Sequence, residues 1–154
     1  MNYVVAGLDP APFAPLFTLD DAALAARGVV PVVAEDAFYP CRVSLEAAAI
    51  GDRLLLLNHQ HQPAASPYRS AHAIYVAQGS KQRGVFRNAI PPVMRSKTLS
   101  VRAFDARHMI VDADLAEGAQ AEALIARLFA DPSAAYLHIH FAKRGCFAAR
   151  VDRG

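Results

Sequence analysis

The sequence contains only two cysteines, no tryptophan and no long hydrophobic run. Cys41 and Cys146 are too few for a disulfide scaffold or a four-cysteine zinc site, so we expect both to be free thiols. The longest aliphatic run, Leu54 to Leu57, is much shorter than the roughly 20 residues of a membrane helix. The first residues also lack the basic and apolar regions of a signal peptide, which predicts a cytoplasmic protein without membrane association.

The sequence also lacks the motifs of several common enzyme and nucleotide-binding classes. There is no Gly-x-Gly segment and no Gly-x-Ser-x-Gly turn, which argues against a glycine-rich phosphate loop and a hydrolase nucleophile. Aromatic residues are scarce in the basic segment from Lys81 to Arg107, where only Phe86 and Phe104 occur. Nucleic acid is therefore not an expected partner, because single-stranded binding uses aromatic side chains for base stacking.

The overall composition is typical of a globular protein. Apolar residues make up 54% and charged residues 19% of the 154 residues, which predicts a single domain over residues 1–154 with its own core. The charge is unevenly distributed, since the segment from Lys81 to Arg107 has seven basic residues and one acidic residue, Asp105. Such a segment could form a basic face for an acidic partner. The composition leaves homo-oligomer formation open.

Alternating and β-branched residues predict eight strands. They lie at residues 3–7, 29–34, 53–58, 71–77, 98–104, 109–111, 136–141 and 146–151. The short connections within the last two pairs predict hairpins, so the sheet should be largely antiparallel. With one principal C-terminal helix and a shorter N-terminal helix, the predicted fold class is α+β.

Capping residues and apolar spacing predict the helices. Thr18 and Asp21 match a capping box for a helix that ends at Gly28, and Asp114 with Glu117 forms a second such pair. The principal helix carries an apolar stripe at positions typical of a core-facing helix: Ala121, Leu124, Ile125, Leu128 and Phe129. Ser44 could cap a single helical turn. Residues 58–70 and 79–97 are predicted to be loops because they are polar or interrupted by proline.

Five of the six histidines lie in recognisable groups. His59 and His61 alternate with polar residues, and His138 and His140 alternate with apolar residues in a predicted strand. The latter two should share one face of that strand. A His-x-His pair can bind one metal ion, and a third histidine would complete a zinc or iron site. The alternative is that the pair faces solvent while the apolar residues between them face the core.

The strand that follows residue 70 carries another candidate. His72 shares a predicted strand face with Ile74 and Val76, so we expect it to be buried and either hydrogen-bonded in the core or lining a pocket. Tyr68 and Arg69 precede this strand. A planar guanidinium at that position suits a carboxylate or phosphate ligand, although an ordinary surface arginine is the alternative.

Each cysteine lies close to an arginine in the sequence. Arg42 follows Cys41, and Arg144 precedes Cys146 by two residues. A nearby cation favours the thiolate form of cysteine. Cys146 could then pair with a histidine of the adjacent strand as nucleophile and base. Alternatively, both cysteines are small buried packing residues.

Several segments together resemble one known family. They are Tyr39-Pro-Cys-Arg-Val43, Leu54-Leu-Leu-Leu-Asn58, His61-Gln62, Ser66-Pro-Tyr-Arg-Ser70, His72-Ala-Ile74, His138-Ile-His140 and Gly145-Cys-Phe-Ala-Ala-Arg150. In these segments the chain resembles the bacterial domain-of-unknown-function family 1203, over nearly its full length. That family has no assigned activity, cofactor or substrate. The resemblance therefore implies a single compact domain and no mechanism.

The leading hypothesis is a pocket for a small anionic ligand, with an enzymatic role left open. The candidate catalytic residues are His72, His138, His140 and Cys146. The candidate ligand-binding residues are Cys41, Arg42, Asn58, His61, Tyr68, Arg69 and Arg144. One alternative is a metal-binding protein that uses His138 and His140. The other is a non-catalytic interaction domain with a basic face. No cofactor, substrate or reaction is assigned.

Overall fold

Across residues 2–154, the computed structural model has two antiparallel β-sheets and three short α-helices. The strands are β1 (Tyr3–Ala6), β2 (Val30–Val33), β3 (Arg53–Gln62), β4 (Ser70–Ala77), β5 (Val85–Arg87), β6 (Thr98–Phe104), β7 (Ile110–Glu117), β8 (Tyr136–Phe141) and β9 (Phe147–Arg153). The helices are α1 (Asp21–Ala25), α2 (Pro92–Arg95) and α3 (Ala121–Leu128). The predicted α+β class is confirmed, and so is the largely antiparallel pairing.

The larger sheet has six strands in the order β5-β1-β9-β8-β6-β7. Strand β8 lies between β9 and β6, and the predicted β8–β9 hairpin is present. Leu137 and Ile139 of β8 are fully buried on the face covered by α3. The histidines of β8 point to the opposite face and are also buried, because the smaller sheet contacts that face. The larger sheet therefore has an apolar core on one face and a buried group of histidines on the other.

Helix α3 packs its predicted apolar stripe against the six-stranded sheet. All five stripe residues are buried, and they join the strand residues in one hydrophobic cluster. The helix begins later than the Asp114–Glu117 pair predicts, because β7 continues to Glu117 and pairs it with Thr98. A 3-10 turn at Gly118–Gln120 then leads into α3. Asp114 instead forms an ion pair with Arg127, at 3.1 Å.

The smaller sheet has the order β2-β3-β4 and differs most from the sequence prediction. Residues 58–62, predicted to begin a loop, continue β3 and pair with β4, so that His59 lies opposite His72. The polar residues there alternate as they would in any strand, and the pairing with β4 satisfies their backbone groups. A register shift lies between His59 and Gln62, and the ladder then resumes with Gln62 opposite Ser70. This extension carries His61 toward the larger sheet.

The remaining corrections concern short elements. The N-cap of α1 is Asp20, whose carboxylate accepts from the amide of Ala23 at 2.8 Å, whereas Thr18 ends a 3-10 turn. Ser44 caps no helix, because Leu45 has a φ of 60° and the chain turns there. The segment 79–97 is not entirely a loop, since it contains β5 and α2. No helix in the described part of the chain is long and apolar enough to cross a membrane.

A second core lies beneath the smaller sheet. It contains Leu55 and Leu57 of β3, Ile74 and Val76 of β4, and the Cys41–Val43 segment. A main-chain bond from Leu8 to the Arg42 carbonyl, 2.8 Å long, holds this segment beside the larger sheet. Gly7 is required there, because a Cβ at this position would overlap the Val43 carbonyl.

Candidate metal centre and arginine cleft

Three histidines from two sheets meet in one place. His61 projects from β3, and His138 and His140 project from the same face of β8. One ring nitrogen from each residue lies within 4.8 Å of the other two. The ring centroid of His61 is 4.9 Å from that of His140 and 5.8 Å from that of His138. We call this group the histidine triad.

Each member of the histidine triad has a buried ring nitrogen without a hydrogen-bond partner among residues 2–154. These atoms are Nδ1 of His61, Nδ1 of His138 and Nε2 of His140. A buried polar atom left unsatisfied costs about 1–3 kcal/mol. Three such atoms on neighbouring rings are unusual for a core, where most polar atoms are paired. They are what a ligand or ion shared by the three rings would satisfy.

The orientation of His140 is set by the main chain. Its Nδ1 lies 2.9 Å from the Gly145 carbonyl, which can only accept a hydrogen bond. Nδ1 therefore carries the proton, and Nε2 is left with a free lone pair. Metal-binding histidines are commonly oriented by a hydrogen bond of this kind from the second ring nitrogen.

The histidine triad is neutral at physiological pH. Burial lowers the pKa of His138 to about 3, and the neighbouring His140 and His61 contribute in the same direction. Burial likewise lowers the pKa of His140 to about 3, although the bond to Gly145 acts to raise it. The pKa of His61 falls to about 4, first through burial and then through His59 and Arg102. Neutral imidazole is the form that binds metal ions.

Aromatic rings enclose the histidine triad. Phe147 stacks against His61 with ring centroids 5.2 Å apart, and Phe104 lies 4.8 Å from His138. Tyr136 stacks on Phe104 and directs its hydroxyl away into a polar network. That hydroxyl accepts from Nε2 of Gln62 at 2.7 Å and lies 2.8 Å from Nδ1 of His108. The apolar enclosure explains why the pKa values of the triad are lowered so strongly.

The charges nearest the histidine triad are positive. Arg102 of β6 and Arg150 of β9 both lie opposite His138 in the sheet. Arg150 forms an ion pair with Asp152, whereas Arg102 forms no ion pair within residues 2–154 and donates to the hydroxyl of Ser100 at 3.4 Å. No carboxylate joins the cluster in the described residues. A site here would have three neutral imidazole ligands.

Four of the predicted site residues lie outside the histidine triad and are exposed or half-exposed, and four others are described below. Asn58, Tyr68 and Arg69 are exposed, and the Arg69 amide merely closes a turn with Ser66. His72 was expected to be buried, but it is half-exposed, because the first residues of β4 extend beyond the core that covers Ile74. These residues do not converge with His138 and His140 into a single pocket.

Arg42, Arg144 and Cys146 form a separate site. The Arg42 side chain is only 2% exposed, and its Nη2 donates to Sγ of Cys146 at 3.2 Å. Cys146 therefore contacts an arginine, and the predicted pair with a histidine of β8 is not formed. In the β8–β9 ladder Phe147 lies opposite His140, and Cys146 precedes the first residue of β9.

A cleft of about 1010 Å³ opens beside Arg42 and Cys146. Its other charged walls are Arg144, Lys143, Lys97, Asp36 and Glu46, and its aromatic walls are Phe38, Tyr39, Tyr75 and Phe141. We call it the arginine cleft. Of the predicted ligand-binding residues, Arg42 and Arg144 line it, together with the predicted catalytic Cys146.

Cys41 lies next to Arg42 in the chain but lines a different, smaller cleft of about 460 Å³. Its Sγ accepts from the amide of Ala77 and contacts the hydroxyl of Ser80, both at 3.3 Å. Burial acts to raise the pKa of Cys41, but the hydrogen bonds from Ser80 and Ala77 outweigh it and the pKa is lowered. The thiol is fully buried and serves as a packing residue of the second core.

The basic segment from Lys81 to Arg107 is divided among several places. Strands β5 and β6, which carry Arg87 and Arg102, are separated by three strands of the sheet. Arg95 forms an ion pair with Glu122, at 3.0 Å. The segment therefore does not form one continuous basic face.

The sequence patterns did not assign His61 to a group with His138 and His140. They also gave no role to the neighbouring residues Gln62, Tyr136 and His108. The alternation of histidine and glutamine directly after a predicted strand was the available signal. Extending that strand by four residues would have placed His61 on it.

Comparison with protein families identifies the family of the chain. The family described as "Protein of unknown function (DUF1203)" matches residues 38–153, a range that includes the histidine triad, Arg42 and Cys146. No curated protein matches the chain, and no solved structure does. Because the match covers well over half of the sequence, the chain belongs to the DUF1203 family of proteins of unknown function.

Proposed function

We propose that this protein binds a transition-metal ion through His61, His138 and His140. The observation that carries the proposal is the set of three buried ring nitrogens that lack hydrogen-bond partners among residues 2–154. The three histidines also bring ligand atoms within 4.8 Å of one another. Their low pKa values keep them neutral, so an ion displaces no proton from the rings at neutral pH.

The ring nitrogens of the three histidines are close enough to bind one ion after a small change in their positions. Zinc–nitrogen bonds of about 2.0–2.1 Å in a tetrahedral site separate two nitrogens by about 3.4 Å. The widest separation allowed in the triad is 4.8 Å, so at most about 1.4 Å has to be closed. Rotation of the imidazoles accomplishes this, and the bond from His140 to Gly145 already orients one ligand.

The donor set indicates which ions are bound. Imidazole nitrogens suit zinc, copper, iron and nickel, whereas magnesium and calcium require oxygen ligands. Three protein ligands leave one position of a tetrahedral ion for water or a small ligand, as in catalytic zinc sites. When bound, such an ion would supply Lewis-acid chemistry at that position. Phe104, Phe147 and Tyr136 would restrict access to it.

The competing interpretation is a purely structural histidine cluster satisfied by a buried water molecule. A buried water commonly makes about three hydrogen bonds, so three ring nitrogens could accommodate one. This interpretation differs from the proposal in one measurable respect. A cluster that holds water has no need of metal and gains no stability from it.

Metal stoichiometry distinguishes the two. The protein is purified without an affinity tag, stripped with a chelator, dialysed, and titrated with Zn²⁺ and Co²⁺ before elemental analysis. We expect about one ion per chain for the wild type and less than about 0.2 for His61→Ala, His138→Ala or His140→Ala. His72→Ala is the matched control, because its half-exposed imidazole lies outside the triad. Wild-type protein that retains less than about 0.2 ion per chain would refute the proposal.

A further inference from the structure

The arginine cleft contains a buried cation without an anionic partner among the carboxylates of residues 2–154. Arg42 is 2% exposed, and it takes part in none of the six ion pairs in this part of the chain. Buried charges in proteins are normally paired, because removing an ion from water is costly. A bound anion would therefore supply the negative charge that no carboxylate of residues 2–154 provides to Arg42.

The contacts of Arg42 with two carbonyl groups and with Sγ of Cys146 position its guanidinium. Nε donates to the Phe147 carbonyl at 2.7 Å, and Nη1 donates to the Pro40 carbonyl at 2.6 Å. Nη2 donates to Sγ of Cys146, and the Phe141 ring lies 5.0 Å from the guanidinium carbon. These contacts use three of the five N–H groups of an arginine, so two remain for a ligand. The guanidinium is held by these contacts, and Arg42 lines the cleft.

The walls of the cleft add positive charge. Arg42, Lys97, Lys143 and Arg144 line it against Asp36 and Glu46, which gives four positive and two negative charges, or a net of +2. Such a cleft concentrates anions by focusing the electrostatic field. The aromatic side chains on the same walls would contact an apolar body. Its volume of about 1010 Å³ lies at the upper end of the range for small-molecule sites.

We infer that the arginine cleft binds a small organic anion whose carboxylate or phosphate group is bound by Arg42, with Arg144 and Lys143 at the entrance. An aromatic or apolar portion of the ligand would pack on Tyr39 and Phe141. Arginine suits this role because its planar fork matches the geometry of carboxylate and phosphate oxygens. The site is distinct from the histidine triad and does not depend on a metal ion.

The test uses metal-free wild-type protein at fixed ionic strength, with phenyl phosphate and benzoate as anionic probes and benzamide as the neutral control. Calorimetry should give saturable, one-to-one binding of at least one anion and none of benzamide. Benzoate binding alone would identify a carboxylate site, and phenyl phosphate binding alone a phosphate site. No binding of either anion, or equal binding of benzamide, would overturn the inference.

Variants locate the bound anion. The double variant Lys143→Gln, Arg144→Gln alters only exposed side chains and should weaken anion binding roughly tenfold. Arg69→Gln is the control, because Arg69 is also exposed but does not line the cleft. This variant should bind the anion with the wild-type affinity. Arg42→Lys should weaken binding further, since lysine keeps the charge but lacks the fork. If Arg42→Lys fails to fold, the double variant decides.

Alkylation of Cys146 provides a readout at the site itself. Its sulfur, as the thiolate, displaces iodide from iodoacetamide and forms a thioether, which peptide mass spectrometry distinguishes from modification of Cys41. A saturating anionic probe should slow this reaction at least severalfold, because Cys146 lines the same cleft. Anion binding that leaves the reaction rate of Cys146 unchanged, or that is unaffected by the double variant, would place the anion elsewhere and contradict the inference.

Discussion

The imidazole of His61 lies flat against the phenyl ring of Phe147, with an interplanar angle of 4° and ring centroids 5.2 Å apart. These residues belong to different sheets, and the contact brings His61 to the histidines of β8. Phe147 also presents its carbonyl to Nε of Arg42. Phe147 thus contacts the histidine triad through its ring and Arg42 of the arginine cleft through its carbonyl.

The stacking contact predicts that Phe147 tunes metal affinity without being a ligand. Phe147→Leu preserves an apolar side chain but removes the flat surface that orients His61. We expect zinc affinity to fall about 10–100-fold, the range found when groups that orient metal ligands are changed. Competition with a chromogenic chelator measures the affinity. An unchanged affinity in a folded variant would show that His61 is oriented by other contacts.

Metal binding should raise thermal stability in wild-type protein. At a free zinc concentration 100 times the Kd, the native state gains about 2.7 kcal/mol, which corresponds to a Tm increase of roughly 5–10 °C for a domain of this size. His140→Ala should show no increase. The measurement is differential scanning calorimetry with and without zinc, and an equal increase in His140→Ala would point to a different site.

The metal-free protein should lose stability as the pH falls from about 6.5. The folded-state pKa values of His138 and His140 are about 3, far below the ordinary value of 6.5. The unfolded chain therefore binds protons first, and stability that is present above pH 6.5 is lost as the pH falls toward about 3. Each of these histidines contributes a slope of up to about 1.4 kcal/mol per pH unit in this window.

Urea unfolding at pH 7, 6 and 5 measures this dependence on metal-free protein. His138→Gln removes one of the histidines whose pKa is lowered in the folded protein, so its unfolding free energy should decline less steeply than that of the wild type. Asn58→Ala, which alters an exposed residue without a titrating group on the same strand as His61, should retain the wild-type slope. Identical slopes for His138→Gln and the wild type would contradict the assignment of the low pKa.

The hydroxyl of Tyr136 should contribute to stability. In Tyr136→Phe, Nε2 of Gln62 loses its hydrogen-bond acceptor. Gln62 is only 3% exposed, so water cannot readily replace that acceptor. We expect a loss of about 1–3 kcal/mol in the free energy of unfolding, because a buried donor is left unsatisfied. The ring that packs near His138 is retained, so zinc affinity should change little. Unfolding curves that coincide with the wild type would show that another acceptor replaces the hydroxyl.

Local sequence patterns predicted the elements whose residues are close in the chain. The apolar stripe of α3 and the β8–β9 hairpin follow from spacing within a few residues, and both are present. The histidines of β8 were correctly placed on one strand face. The smaller sheet covers that face through His61 of β3. The sequence of β8 alone therefore could not show whether His138 and His140 face solvent or a buried site.

The two sites depend on contacts between residues far apart in the sequence. His61 is separated from His138 by 77 positions, and the polar residues around His61 resemble a loop until β4 pairs with them. Arg42 donates to a carbonyl 105 positions away. Neither its burial nor its contact with Cys146 has a local signal, because an arginine is ordinarily exposed.

X-ray absorption at the zinc edge of zinc-loaded protein tests the central claim most directly. The account predicts three or four nitrogen or oxygen neighbours at about 2.0 Å, with the outer-ring scattering typical of imidazole, and loss of that signal in His61→Ala. A shell of sulfur at about 2.3 Å would assign the ion to the thiols instead. Either that sulfur shell or an unaltered spectrum in His61→Ala would contradict a metal centre on the three histidines.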